Sequence, residues 1–276
     1  MAGFQPSLRR WWEGRKWKLL EWLCHAQIRN AAWLATRELD RSNPPKILVD
    51  NSILRFGVTH SNAWISTGTK LWGKTPVETG YLARVSKNYP IASEWIAKNE
   101  VPYFAPLVHL GLTGHIQYVR SRDLETESVR HPPSKYVGDF YGLNVWTHIK
   151  FDHVDFVSRH QINRIWSPES WSKKQQIEDI KSLDDPEFSQ LVAILGQHHI
   201  LDCLHLWTAH RAGCFAFLTV DAKFVRHFEN SYKMGKLDWL KARPYFPSQI
   251  AKLWRIRPVS IEHLTPLNAS FPYVIR

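Results

Sequence analysis

The apolar positions of this chain change period several times, and each change marks an element. Leu19, Leu20, Leu23, Ala26 and Ala31 form a patchy stripe that predicts one or two amphipathic helices up to about Asp40. RSNPP, from Arg41 to Pro45, ends them, because neither proline continues a helix and each pushes the preceding residue towards extended geometry. KILVD follows, a short and nearly unbroken apolar run closed by Asp50, which is the pattern of a strand covered on both faces. SILRFGV then opens a helix, while Gly57 to Pro76 shows no clean period. Tyr81 to Lys98 predicts a helix, PYFAPLV a strand, and the sequence from there to Arg130 a helix interrupted by glycines.

From about residue 131 to 170 the chain reads as an insertion, with an imperfect alternation over Asn144 to Val157 that fits a hairpin or an exposed loop. Helical signals return after Pro168, and Pro186 starts the helix PEFSQLVAIL. LDCLHLWTAHRA predicts another helix, Gly213 stops it, and CFAFLTV predicts a strand that Asp221 closes. WRIRPVSIEHL reads as an edge strand, where Pro258 is tolerated. These elements predict an α/β domain over residues 44–276 with a central, mainly parallel sheet, preceded by a basic, tryptophan-rich helical extension over residues 1–43.

Three acids stand at the ends of these elements. In a parallel sheet covered by helices, ligands bind along the carboxyl edge of the strands. Asp50 and Asp221 belong on that edge, and Asp202, at the start of a helix, belongs beside it. Clustered carboxylates either share protons or hold a cation. A hard ion such as Mg2+ or Mn2+ suits such a site, and phosphodiester hydrolysis suits such an ion. The plain alternative is that Asp50 and Asp202 cap helices and Asp221 opens a turn.

KILVDNSIL and LDCLHLWTAHRAGCFAFLTVDAKF resemble the first and last motifs of PIN-domain nucleases, and WRIRPVSIEHL is similar to the final strand of that family. The resemblance implies a three-layer PIN-like fold and a metal-dependent endonuclease, usually acting on RNA. It also implies that Asp50, Asp202 and Asp221 bind the metal and take part in catalysis, that Thr219 is an auxiliary polar group, and that Asn51 orients ligands or water. The family usually carries a further acid near the start of the helix after the second strand. In VPYFAPLVHLGLTGHIQYV the expected place reads His109, Leu110 and Gly111. Glu94, Glu100, Glu125 and Glu127 are near in sequence, and nothing in the sequence places any of them in the site. Toxin ribonucleases of toxin–antitoxin pairs and RNA-processing nucleases both show this pattern, and only the former would have an antitoxin protein as partner. Two other readings remain: a module that binds nucleic acid without cleaving it, and a DNA or flap-type nuclease.

Charge adds a polyanionic partner. The chain of 276 residues carries a formal net charge of +11, and Lys and Arg gain affinity for phosphates by releasing counterions. Lys223, Arg226, Lys233, Lys236 and Arg243, with Tyr232 and Trp239 among them, follow the predicted acidic edge and form the first candidate for a surface that holds RNA or DNA. Trp11, Trp12, Trp17, Trp22 and Trp33 lie among the cations of the first segment, which fits packing on the domain, stacking on bases, or docking on a membrane or partner.

The other features are chemically quieter. Cys24, Cys203 and Cys214 have no paired spacing, so neither disulfides nor a zinc site is expected, and a reducing cytoplasm is the simplest compartment. No transmembrane segment or signal peptide is read. His131, His148, His153 and His160, with Asp152 and Asp155, read first as scattered surface residues, given their irregular spacing, and second as a metal cluster. His198 and His205 share a helix face with Asp202, and His205 reads first as a hydrogen-bonded structural residue and second as an aid to substrate binding or proton transfer.

Overall fold

The structure is a computed structural model and describes residues 6–138, 143–154, 172–264 and 273–274. Helix α1 (Pro6–Glu38) leads to strand β1 (Lys46–Val49) and helix α2 (Asn51–Gly57). Strands β2 (Val58–Trp72) and β3 (Thr75–Ser86) form a long hairpin, followed by α3 (Ile91–Asn99), α4 (Phe104–Leu112), β4 (Gln117–Ser121) and α5 (Arg122–Val129). Next come α6 (Ser134–Val137), β5 (Leu143–Asn144) and β6 (Asp152–Val154). The remaining elements are α7 (Lys173–Lys181), α8 (Pro186–Leu195), α9 (Ile200–Arg211), β7 (Ala216–Leu218), α10 (Ala222–Lys233), β8 (Arg243–Tyr245), α11 (Pro247–Leu253) and β9 (Tyr273–Val274).

Five strands form the central sheet in the order β6-β4-β1-β7-β8, and every pairing is parallel. Strand side chains alternate between faces, and each face is covered. Ile47, Val49, Tyr118, Ala216 and Leu218 pack under α1, α2, α4 and α11. Leu48, Val119 and Phe217 pack under α5 and α7 to α10. The fold is therefore a three-layer α/β arrangement. Burial on both faces explains why KILV and AFL read as unbroken apolar runs.

The N-terminal helix is part of this packing rather than an appendage. Cys24, Ile28, Ala31, Ala32 and Ala35 are buried, with Ala105, Val259 and Leu264 among their neighbours. The stripe read from larger residues points outward instead, with Leu19 56% and Leu23 41% exposed. Small residues allow close helix approach, so the true packing face carries alanines. Trp22 and Trp33 are exposed, and the side chains of Trp11, Trp12 and Trp17 lie outside the described residues.

Several predicted elements take another form. PYFAPLV is a 3-10 turn running into α4, whose Phe104, Leu107 and Leu110 are fully buried. A short apolar run does not distinguish a buried helix from a buried strand. The helix expected over Tyr81 to Lys98 begins only at Ile91, because the preceding residues complete β3. Gly57 to Pro76 belongs mostly to the hairpin, closed by Gly73–Lys74 with Gly73 at φ +64°, as a two-residue type II′ turn requires. Most of β2 beyond Ala63 is exposed, so no single buried face imposed an alternation.

The insertion expected over 131–170 contains β6, which is the edge strand of the central sheet beside β4. Residues 155–171, with Asp155 and His160, lie outside the described residues. No strand forms in WRIRPVSIEHL; the edge strand on that side is β8. Instead, the Arg257 N–H donates to the Ala31 carbonyl at 3.0 Å and the Val259 N–H to the Pro102 carbonyl at 2.8 Å, so this segment is laced across helices. Among the described residues, no helix is long and apolar enough to cross a membrane.

This packing sets a stability contrast. Leu48→Ala, at a fully buried position of the central strand, is expected to cost about 2–5 kcal/mol. Leu71→Ala, 74% exposed on the hairpin, should cost less than about 0.5 kcal/mol. Urea unfolding of both variants measures the difference.

Candidate metal-binding active site

The site follows from strand direction. Parallel β1 and β7 end at the same edge, where the Asp50 N–H extends their ladder by donating to the Leu218 carbonyl at 3.0 Å. Asp50 leaves β1 there, and Thr219 to Asp221 leave β7. Helix α9 precedes β7 and runs against it, which returns Asp202, in the first turn of α9, to the same edge. β1 is also the strand from which the chain departs to either side, and an open parallel sheet has its crevice at such a point.

Asp50 stands at the N-cap of α2, yet its carboxylate makes no capping bond. It accepts from the Thr219 hydroxyl at 2.7 Å and from the Ser52 hydroxyl, both at Oδ2, which leaves Oδ1 outside the described hydrogen bonds. The buried Thr219 also receives the Asp221 N–H at 3.1 Å, so one side chain ties two acids. Asp221 does cap α10, with Oδ1 accepting from Lys223 N at 2.9 Å and Phe224 N at 3.0 Å. Asp202 Oδ2 lies 3.2 Å from His199 Nδ1. Each aspartate thus commits one oxygen to the protein and leaves the other available.

A further acid, Glu127, stands close enough to act on Asp50 and Asp202. Sequence reading sought it after PYFAPLV, but the second core strand is β4, and the helix after it, α5, contains LETE. Glu127 Oε1 lies 2.9 Å from His205 Nε2, and Oε2 lies 3.5 Å from Asn51 Nδ2. Asn51 is buried and otherwise occupied, with Nδ2 donating to the Leu124 carbonyl at 2.6 Å and Oδ1 accepting from Arg120 at 2.9 Å. It therefore holds Glu127 and Arg120 in place.

Electrostatics show how crowded the acids are. Burial, and then the negative charge of Asp50, push Asp202 up to about 7; Asp221 and Glu127 add to this and His205 opposes it. Burial also raises Asp50, against the hydroxyls of Ser52 and Thr219. For His205 burial favours the neutral ring, but the charge and hydrogen bond of Glu127 outweigh it and lift the imidazole to about 9. Burial likewise opposes ionisation of Glu127, and His205 reverses this, so Glu127 falls below the usual glutamate range. A histidine cation thus offsets one of four negative charges. A divalent cation would offset two more, and one available oxygen from each of Asp50, Asp202 and Asp221 is the hard donor set that Mg2+ or Mn2+ takes alongside water. The donor types fit that ion, and side-chain rotation would have to gather them around it, since among the described residues the three ligand atoms that lie within 4.8 Å of one another belong to His198, His199 and His227.

No family model, curated protein or solved structure matches this chain. The geometry therefore carries the functional reading.

The predicted basic surface divides. Lys223 and Arg226 are exposed in the first two turns of α10, next to Asp221. Lys233 ends that helix, about 18 Å away along the axis at 1.5 Å per residue, and Lys236 lies beyond it. Arg243 begins β8, level with Ala216 at the opposite edge of the sheet, and its guanidinium stacks on Tyr232 at 3.9 Å. These last three do not border the acids, because the helix carries the chain away from them. Other cations do come near. Arg120 lines a cavity of about 550 Å3 with Tyr136, Trp146 and Phe151, and Glu127 and Asp50 both act on the Tyr136 phenol, although its burial is the larger cause of its raised pKa. Burial, then Lys135, Arg130 and Arg55, hold His131 at the same cavity below its ordinary value.

Asp202 gives a pH prediction. Its folded pKa is raised, so its stabilising effect is full below the unfolded value near 3.8 and is lost as pH rises through about 7. Without divalent metal, Asp202→Asn should melt increasingly above the unsubstituted protein between pH 4 and pH 7, with a constant gap above that. Thermal melts across this range read the gap, and equal melting temperatures at pH 8 would remove the crowding argument.

Proposed function

We propose that this chain is a divalent-metal-dependent nuclease of PIN-like type that hydrolyses phosphodiester bonds in RNA. The observation that carries this reading is the convergence of Asp50, Asp202, Asp221 and Glu127, from four separated segments, at the carboxyl edge of the parallel sheet. The strand order β6-β4-β1-β7-β8 supports it by placing the crevice at β1.

When bound, the ion would supply a hydroxide nucleophile at neutral pH and neutralise charge on the phosphate. Asp50, Asp202 and Asp221 would hold it through the oxygens they keep free. Thr219 fixes Asp50 through one hydrogen bond and the Asp221 backbone through another. Glu127, bound to His205 and Asn51, adds to the negative field that would attract the ion. Lys223 and Arg226 would hold backbone phosphates on one side, and the aromatic cavity beside Arg120 has room for an unstacked base on the other. One observation favours the rival reading, a module that binds nucleic acid without cleaving it: both oxygens of Glu127 are already engaged by protein groups.

The test is cleavage of labelled single-stranded RNA with Mn2+, beside single-stranded and branched DNA. Asp50→Asn or Asp221→Asn should lower the cleavage rate by more than about 100-fold, since loss of an ion's charge stabilisation costs several kcal/mol. RNA affinity without metal should persist in both variants. Metal-independent binding with no cleavage of any substrate would leave the binding module, and preferred cleavage of DNA would overturn the RNA assignment.

The divided basic surface adds a second expectation. Lys223→Ala and Arg226→Ala should each weaken RNA binding and reduce its salt dependence by about one unit of slope. Lys233→Ala and Lys236→Ala should change neither, as binding titrations at several salt concentrations will show.

A further inference from the structure

Three histidines meet beside the acids without belonging to them. His198 and His199 lie on the 3-10 turn Gln197–His199 between α8 and α9, and His227 lies in the second turn of α10. Their rings are centred 4.1 Å (His198–His199), 5.6 Å (His199–His227) and 6.0 Å (His198–His227) apart. One nitrogen from each lies within 4.8 Å of the others.

We propose that His198, His199 and His227 form a binding site for a borderline transition-metal ion, Zn2+ in the first instance, separate from the carboxylate site. Imidazole nitrogen suits zinc, whereas Mg2+ and Mn2+ prefer oxygen, so the two donor sets select different ions. Ligands 2.0–2.1 Å from a tetrahedral zinc stand about 3.4 Å apart, which ring rotations on two exposed or half-buried side chains reach from the observed spacing. Three protein ligands leave a fourth position for water.

Two features show that the site is built. His199, its side chain 11% exposed, has Nδ1 against Asp202 Oδ2 at 3.2 Å. That bond leaves Nε2 as the nitrogen for an ion and gives the carboxylate–histidine pairing that typically supports a metal ligand. Gly196 holds φ at +89°, and a Cβ there would lie 2.8 Å from His198 Cε1 and 3.0 Å from its Nδ1. Glycine therefore suits the positive φ here and lets the His198 ring keep this position without shifting. Through Asp202, an ion on the histidines would also fix one ligand of the neighbouring carboxylate site.

The full chain, stripped with a chelator, should bind one Co2+ with the visible absorption of a four-coordinate, nitrogen-rich site, and Zn2+ should displace it. His227→Ala and, on an exposed side chain, His198→Ala should each lower Zn2+ affinity more than about 100-fold against a chromophoric competitor, and Asp202→Asn by about 10-fold. Asp50→Asn should leave the affinity unchanged. Affinity equal in the histidine variants, or lost in Asp50→Asn, would overturn the proposal. Because the readout is metal binding, failure of the nuclease assignment leaves this result unaffected.

Discussion

The parallel pairing of β1 with β7 is the contact on which the candidate site depends. Its register sets Leu48 opposite Phe217 and Val49 opposite Leu218, so that Asp50 and Thr219 leave the sheet side by side. A slip of one residue by either strand would turn its side chains to the other face of the sheet. Leu48 or Phe217 would then leave the layer of α5 and α7 to α10, and the Thr219 hydroxyl would lose Asp50. The apolar packing that fixes the register therefore also fixes the acids, and the site needs no separate device to hold its geometry.

The acids in turn oppose the fold that assembles them. Asp202 is pushed to about 7 by burial and by its acidic neighbours, which means that ionising the whole cluster is costly at neutral pH. His205 relieves part of that cost by pairing with Glu127 and remaining charged in a setting that would otherwise discharge it. Asp221 caps α10 through Oδ1, where the sequence suggested the opening of a turn, and its other oxygen stays outside the described hydrogen bonds. Asp50 differs, because its carboxylate caps nothing and bonds to hydroxyls across the crevice.

Much of this was legible where the sequence had only one physical demand to meet. KILV, the α9 helix and AFL are buried on both sides or end on clear breakers, and the acids beside them were legible with them. β4 was hidden because QYVRS carries two polar side chains with work at the edge: Arg120 holds Asn51, and Ser121 caps α5. With β4 missed, Glu127 could not be placed, although an acidic helix directly after a short apolar pair was the available signal. Lys233, Lys236 and Arg243 were grouped with the site because sequence proximity says nothing about the direction in which a helix carries its later residues. The histidine cluster joins a turn before α9 to the second turn of α10, and only the packing of α8 and α10 brings those segments together.

The β1–β7 contact also has a temporal side. Asp50 and Thr219 are 169 positions apart in the chain, and of the strands between them in sequence the one that pairs with β1, β4, can cover only its other flank. On the ribosome the middle strand of the sheet would emerge long before β7 and keep one side unsatisfied until that strand follows. Contacts this distant slow folding, so the nascent protein would have an extended window in which that bare flank is open to wrong partners, and chaperone occupancy should be greatest just before AFL is made.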